Sequence, residues 1–154
     1  MTDRQGFVSL VGAGPGDARL ITLAGMSAIG RADVVVYDLL VNPQLLASAR
    51  PEAKRIFVGK QGGGKYTPQE EINAILIAEA KKGKRVVRLK GGDPLVFARG
   101  AEELEALAEA GIDFEIIPGV TAALAAAATA AIPLTHRHES STLIFVTGHE
   151  DTDK

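Results

Sequence analysis

The chain has 154 residues, 46% of them hydrophobic and 23% charged, with a formal net charge of -2. That is the composition of a soluble globular protein with one ordinary α/β core, and it gives no global reason to expect nucleic acid or a membrane as a partner, so any anion must be met by local clusters of Lys, Arg and His. With no cysteine, a disulfide, a thiolate nucleophile and a cysteine-ligated zinc or iron–sulfur centre are excluded.

Residues Met1 to Gly6 are polar and lead straight into a strand, unlike a secretory signal, so a cytoplasmic protein is expected. Five β-branched, apolar stretches end at Val11, Tyr37, Val58, Leu89 and Ile117. Between them, helical periodicity predicts helices from about Thr22 to Gly30, from Thr67 to Gly83, from Ala101 to Ala110 with Gly111 as a stop, and from near Thr121. In the second helix Thr67 and Glu70 have capping-box spacing, with Pro68 at the first helical position and Gly83 as the stop. Ile72, Ile75, Leu76 and Ala80 share its apolar face, leaving Glu71, Glu79, Lys81 and Lys82 to water. The alanine-rich run from Val120 to Leu134 is shorter than a bilayer span and broken by Pro133, which predicts a buried helix. Residues 135–141 read as a linker and Thr142 to Thr147 as a sixth strand, either the first of an otherwise missing second domain or an edge strand pairing here or in a partner chain.

Strand and helix alternate, so the expected fold is α/β: a five-stranded, mostly parallel sheet with helices on both faces and right-handed crossovers, plus the first strand of a truncated second α/β domain. Strand order is left open. The domain expectation is 1–134 for the first domain and 135–154 for the linker and first strand of the second.

In such a sheet the ligand sits beyond the carboxyl ends of the strands. The five loops there begin Gly12-Ala13-Gly14-Pro15-Gly16-Asp17, Asp38, Gly59-Lys60, Lys90-Gly91-Gly92-Asp93-Pro94 and Pro118-Gly119-Val120-Thr121. The first does not complete the dinucleotide fingerprint G-x-G-x-x-G, because Asp17 stands at the last glycine and Pro15 interrupts the turn; Pro15, Gly16 and Asp17 instead add stiffness and a carboxylate for a ligand. The run Gly59 to Lys65 satisfies G-x-x-x-x-G-K, but Tyr66 replaces the Ser or Thr that holds Mg²⁺ and the helix starts too late for Lys65 to meet a phosphate. In Lys90-Gly91-Gly92-Asp93-Pro94, two glycines let backbone approach a ligand, Asp93 offers acceptors and Pro94 fixes the exit.

The ordered set Gly14-Pro15-Gly16-Asp17, Tyr37-Asp38, Val58-Gly59-Lys60, Pro68 to Asn73, Arg88 to Pro94, Pro118-Gly119-Val120-Thr121-Ala122 and Thr135-His136-Arg137 resembles the tetrapyrrole methylase family, in its uroporphyrinogen-III C-methyltransferase branch, from about Val8 to Gly148. It departs from the family pattern at Lys65-Tyr66, where relatives often carry a His-containing loop, and at Ala98 and Ala101, where they often have Gly. The resemblance implies methyl transfer from S-adenosyl-L-methionine to ring carbons of uroporphyrinogen III, without a metal, giving precorrin-2 on the way to sirohaem and cobalamin and leaving S-adenosyl-L-homocysteine. It implies Asp38 as proton acceptor and Lys60 as proton donor. It implies Pro15, Gly91, Gly92, Asp93, Val96, Thr121 and Ala122 as cofactor contacts. Lys60, Lys65, Arg99 and Arg137 are candidates for the carboxylates of the tetrapyrrole, Arg99 and Arg137 foremost; His136 and His138 read as linker or substrate-adjacent residues. A homodimer is implied as well. With one wall of the cleft expected to be missing, weak or no activity is expected of this chain alone, and a noncatalytic cofactor-binding or assembly domain, or another precorrin methyltransferase, stands as the alternative.

Overall fold

The structure, a computed structural model, describes residues 6–59 and 67–148. Its elements in chain order are β1 (Phe7–Gly12), α1 (Leu23–Arg31), β2 (Val34–Tyr37), β3 (Lys54–Phe57), α2 (Gln69–Ala80), β4 (Arg85–Lys90), α3 (Gly100–Glu109), β5 (Asp113–Ile117) and α4 (Ala122–Thr129), with 3-10 helices at Ala18–Leu20 and Pro43–Ser48. The five strands form one parallel sheet in the order β3-β2-β4-β1-β5.

Side-chain alternation along the strands divides the core into two layers. Val11, Val35, Val87 and Leu89 face α1 and the Pro43–Ser48 helix, packing on Ala28, Ile29 and Leu45. Val8, Leu10, Val34, Val36 and Val86 face α2 and α3, packing on Ile72, Leu76 and Leu107. The chain steps outward from β1 to β3 with its helical connections on the first face, then returns through β4 to β5 with α2 and α3 on the second. Right-handed crossovers taken in opposite directions produce this two-faced arrangement. β1 and β4 are neighbours whose following helices depart to opposite faces, which makes the gap between their carboxyl ends the switch point of the sheet.

The start of α1 and the end of α3 follow the sequence. Thr22 accepts from the Gly25 amide at 3.0 Å to start α1, and Gly111, at φ 66, takes up the left-handed conformation after α3. Four expectations change. The capping box of α2 does not form: the Glu71 and Ile72 amides bond to the Pro68 carbonyl, so Pro68 is the cap, and its ring carries no acceptor. Glu79, expected in water, is buried and accepts from Lys54, Lys82 and Lys84 at 3.0, 3.0 and 2.7 Å. The alanine-rich helix α4 buries none of its residues, and the edge strand β5 is likewise exposed at all but Ile117. Residues 142–147 belong to no strand, since no neighbouring segment forms a ladder with them; the nearby pairing is a tight turn bridging His136 and Ser140. Among the described residues no helix is long and apolar enough to cross a membrane.

Candidate active site

The strand register sets the carboxyl ends level: Tyr37 lies opposite both Phe57 and Leu89, Gly12 opposite Lys90, and Val11 opposite Ile117. The five loops therefore leave from one rim, and a cavity of about 1260 Å³ opens there.

Backbone contacts weld three of the loops. The Ala13 amide donates to the Lys90 carbonyl at 2.7 Å, and Gly14 and Gly92 exchange bonds of 3.2 and 2.8 Å. Gly119 packs against both: a Cβ there would lie 2.2 Å from the Gly92 oxygen and 2.7 Å from the Gly12 Cα. Only glycine allows that approach. Asp93 completes the weld, its Oδ1 accepting from the Leu95 amide at 2.8 Å and its Oδ2 from the Gly119 amide at 3.0 Å. The acceptors expected to face a ligand thus fasten the β4 loop to the β5 loop. Asp17 is likewise engaged locally: it accepts from the Arg19 amide and forms a 2.6 Å ion pair with the Arg19 guanidinium, whose hydrogen bonds hold its carboxyl down to about 2.

Pro15, Gly91, Gly92, Asp93, Val96, Thr121 and Ala122 all line the cavity, as do Asp38 and Arg99. Arg99 pairs with Glu102 at 2.6 Å, and that guanidinium lowers the pKa of Glu102. Arg137 is exposed in the turn between His136 and Ser140, outside the cavity lining. Lys60 and Lys65 lie outside the described residues; the β3 loop reaches the cavity at Gly59. Ile144, Phe145 and Val146, read from sequence as strand, contribute to the lining instead.

Beneath the cavity lies a cluster whose connections sequence reading did not find. Arg88 and Lys90 alternate with Val87 and Leu89 along β4 and point to the α2/α3 face, both nearly fully buried. Glu103 on α3, 0% exposed, accepts at Oε1 from Lys90 Nζ at 2.9 Å, Arg88 Nε at 3.1 Å and Gln69 Nε2 at 3.2 Å. Arg88 then donates from Nη2 to Asp38 Oδ2 at 3.2 Å, while Asp38 Oδ1 accepts from the Leu40 amide at 3.1 Å. Burial, reinforced by the charge of Arg88, pushes the Lys90 ammonium down from its ordinary pKa, and Glu103 and Asp38 oppose the shift. Two cations in a central strand were the available signal, since buried parallel strands are ordinarily apolar throughout.

A parallel α/β sheet with a large cavity at its switch point, walled by glycine-rich backbone and floored by an ionic cluster, defines a small-molecule-binding domain of the doubly wound class. The family profile of the Tetrapyrrole (Corrin/Porphyrin) Methylases matches residues 8–154, and the chain belongs to that family. It is 60% identical over 146 residues to a siroheme synthase of Actinobacillus succinogenes, covering 95% of this chain and 31% of that protein. It is 58% identical over 148 residues to a siroheme synthase of Neisseria meningitidis serogroup C, covering 96% and 31%. The chain thus spans about a third of the length of these curated relatives. Among solved structures, it superposes on uroporphyrin-III-C-methyltransferase from Thermus thermophilus with a TM-score of 0.77 at 48% identity, covering 87% of this chain and 56% of that one. The same enzyme complexed with S-adenyl homocysteine matches with a TM-score of 0.71 at 45% identity, covering 86% and 51%.

Proposed function

We propose that this chain supplies the cofactor wall and the proton acceptor of an S-adenosyl-L-methionine-dependent uroporphyrinogen-III C-methyltransferase, forming precorrin-2 for sirohaem and cobalamin. The observation that carries the reading is the meeting, in one cavity, of a backbone-built wall at Gly91, Gly92, Thr121 and Ala122 with the carboxylate of Asp38. The wall fits the cofactor chemically, because small residues leave main-chain donors and acceptors accessible to a nucleoside and an amino acid. At about 1260 Å³, the cavity exceeds the ordinary range for one small ligand and has room for a macrocycle beside the cofactor.

The cofactor supplies a methyl group already activated by positive sulfur. The residues have to hold the accepting carbon in line with it and remove the proton that the alkylated ring loses. Asp38, hydrogen-bonded to Arg88, is the proposed acceptor of that proton; Lys60 is the proposed donor. Arg99 and Arg137 are proposed for the substrate carboxylates, Arg99 from the cavity wall. Residues 1–134 form the proposed first methylase domain, with 135–154 leading out of it. A homodimer in the cytoplasm completes the reading, and the uncovered Leu124 and Ile132, outside the cavity, support an association surface.

Calorimetric titration with S-adenosyl-L-homocysteine tests the proposal. Micromolar binding that disappears in Thr121→Trp is expected, and absence of binding in the parent chain would favour a scaffold without turnover. Where methyl transfer is measured, Asp38→Ala should slow turnover far more than it weakens cofactor binding, and product mass distinguishes precorrin-2 from products of other precorrin methylases.

A further inference from the structure

We propose that Glu103 is a positioning residue of this site, anchoring Arg88 so that its guanidinium holds the Asp38 carboxylate toward the cavity. The proposal rests on the reading of Asp38 as the proton acceptor and adds a residue that would not touch either ligand.

Arg88 is fixed on three sides. Its Nε donates to Glu103 at 3.1 Å, its Nη1 to the Leu89 carbonyl at 3.1 Å and its Nη2 to Asp38 at 3.2 Å. A guanidinium is planar, so setting Nε and Nη1 also sets the direction in which Nη2 points. Glu103 in turn is held by the first turn of α3 and by the ammonium of Lys90 at 2.9 Å. The charged groups facing one another are Arg88 and Lys90 from β4, Asp38 from the loop after β2, and Glu103 from α3. Glu102, paired with Arg99, stands beside them, and Gln69 of α2 adds a neutral donor. Two cations are balanced by Glu103 and Asp38 together, and by neither carboxylate alone.

Such a cluster is an expensive way to fill a core. A buried ion network is commonly matched or exceeded in stability by apolar residues of similar volume, whereas removal of one partner strands the others. All three donors that reach Glu103, from Arg88, Lys90 and Gln69, converge on its Oε1, so the carboxylate is oriented by the cluster. Stability alone does not explain this geometry. A fixed acceptor at the cavity does.

The test has two arms. In the chain without cofactor, NMR of arginine guanidinium groups should show Arg88 with slowly exchanging, rotationally hindered protons. Glu103→Gln, which keeps the shape but loses the charge, should release them, and Glu103→Asp should retain part of the restraint. An Arg88 signal unchanged in Glu103→Gln would overturn the proposal whether or not the cofactor binds. In methyl transfer, Glu103→Gln should lower kcat about tenfold or more with the cofactor KM little changed, and should slow an Asp38→Asn background no further. Additive rate losses in that cycle would likewise refute it. If Glu103→Gln fails to fold, Arg88→Lys serves: it preserves the positive charge but lacks the fork joining Glu103 to Asp38, so it should reproduce the kcat loss, and parent-like kcat would overturn the proposal. Loss of S-adenosyl-L-homocysteine binding in the parent would instead count against the methyltransferase reading and leave the NMR arm decisive for the cluster.

Discussion

Asp93→Ala is the most direct probe of how the glycine-built wall of the cavity is assembled. The carboxylate closes two loops at once, through the Leu95 amide at 2.8 Å in an exposed setting and the Gly119 amide at 3.0 Å in a partly buried one. Charge-assisted hydrogen bonds contribute about 1.5–3 kcal/mol each when protected, and less where water competes. The pair is therefore worth about 2–3 kcal/mol of local order. If binding requires the ordered loops, that cost reappears as a rise of roughly 30- to 150-fold in the Kd for S-adenosyl-L-homocysteine. The parallel sheet does not depend on these bonds, so the melting temperature should fall by only a few degrees. Asp93→Asn keeps one acceptor oxygen and should lose about tenfold. Titration calorimetry paired with scanning calorimetry reads both quantities. Parent-like affinity in Asp93→Ala would refute the fastening argument, and Asn as damaging as Ala would show that a single attachment does not hold the loops and that both are needed.

Gly119→Ala should damage the same wall by intrusion: its Cβ would fall 2.2 Å from the Gly92 oxygen, so affinity should drop about tenfold or more, whereas Gly111→Ala, with nothing within 4 Å and a φ of 66, should cost stability through backbone strain and leave binding unchanged. Calorimetry on both variants decides, and equal binding would sink the claim. Glu79 gives a pH signature: hydrogen bonds from Lys84, Lys54 and Lys82 hold its carboxyl down to about 2, from an ordinary 4.5. A carboxyl depressed in the folded state stabilises above its unfolded pKa, and the contribution is lost as pH falls from about 4.5 toward 2. Full conversion would give roughly 3 kcal/mol, but the lysine side chains are 35% to 57% exposed and screening reduces it to about 1–2 kcal/mol. Urea unfolding of Glu79→Gln should therefore show that loss at pH 7 and a flatter acid limb; an unchanged limb would contradict the assignment.

The sheet was legible because each strand carries its own period and each loop its own glycine, proline or acid. The order of the strands was not, since Val34-Val35-Val36 and Val86-Val87 are apolar on both faces and nothing local distinguishes which neighbour each will take. Helix ends were legible where one residue performs the cap, as at Thr22 and Gly111. They were less so at α2, where the helix starts a residue later than its side-chain pattern suggests. The alanine-rich segment differs from its expected burial for a physical reason: alanine forms helix by intrinsic propensity without needing a partner face, so α4 is helical while exposed and its hydropathy does not signal a core position.

The site divides along the same line. Loop residues such as Pro15, Gly91, Gly92 and Thr121 could be named because a ligand rim in this topology is a property of position along the chain. The ionic cluster could not, because Arg88 and Lys90 meet Glu103 only after β4 and α3 pack on each other, and Asp38 joins only because β2 lies beside β4. Arg88 and Lys90 stand out only as cations in a central strand, and Glu103, taken singly, reads as an ordinary solvated helix residue. Their burial makes them interdependent: any one removed leaves a net charge in a place water reaches poorly, and that cost is transmitted along Arg88 to the carboxylate at the cavity. The orientation of the Asp38 carboxylate is thus a consequence of strand order, the feature that sequence did not disclose.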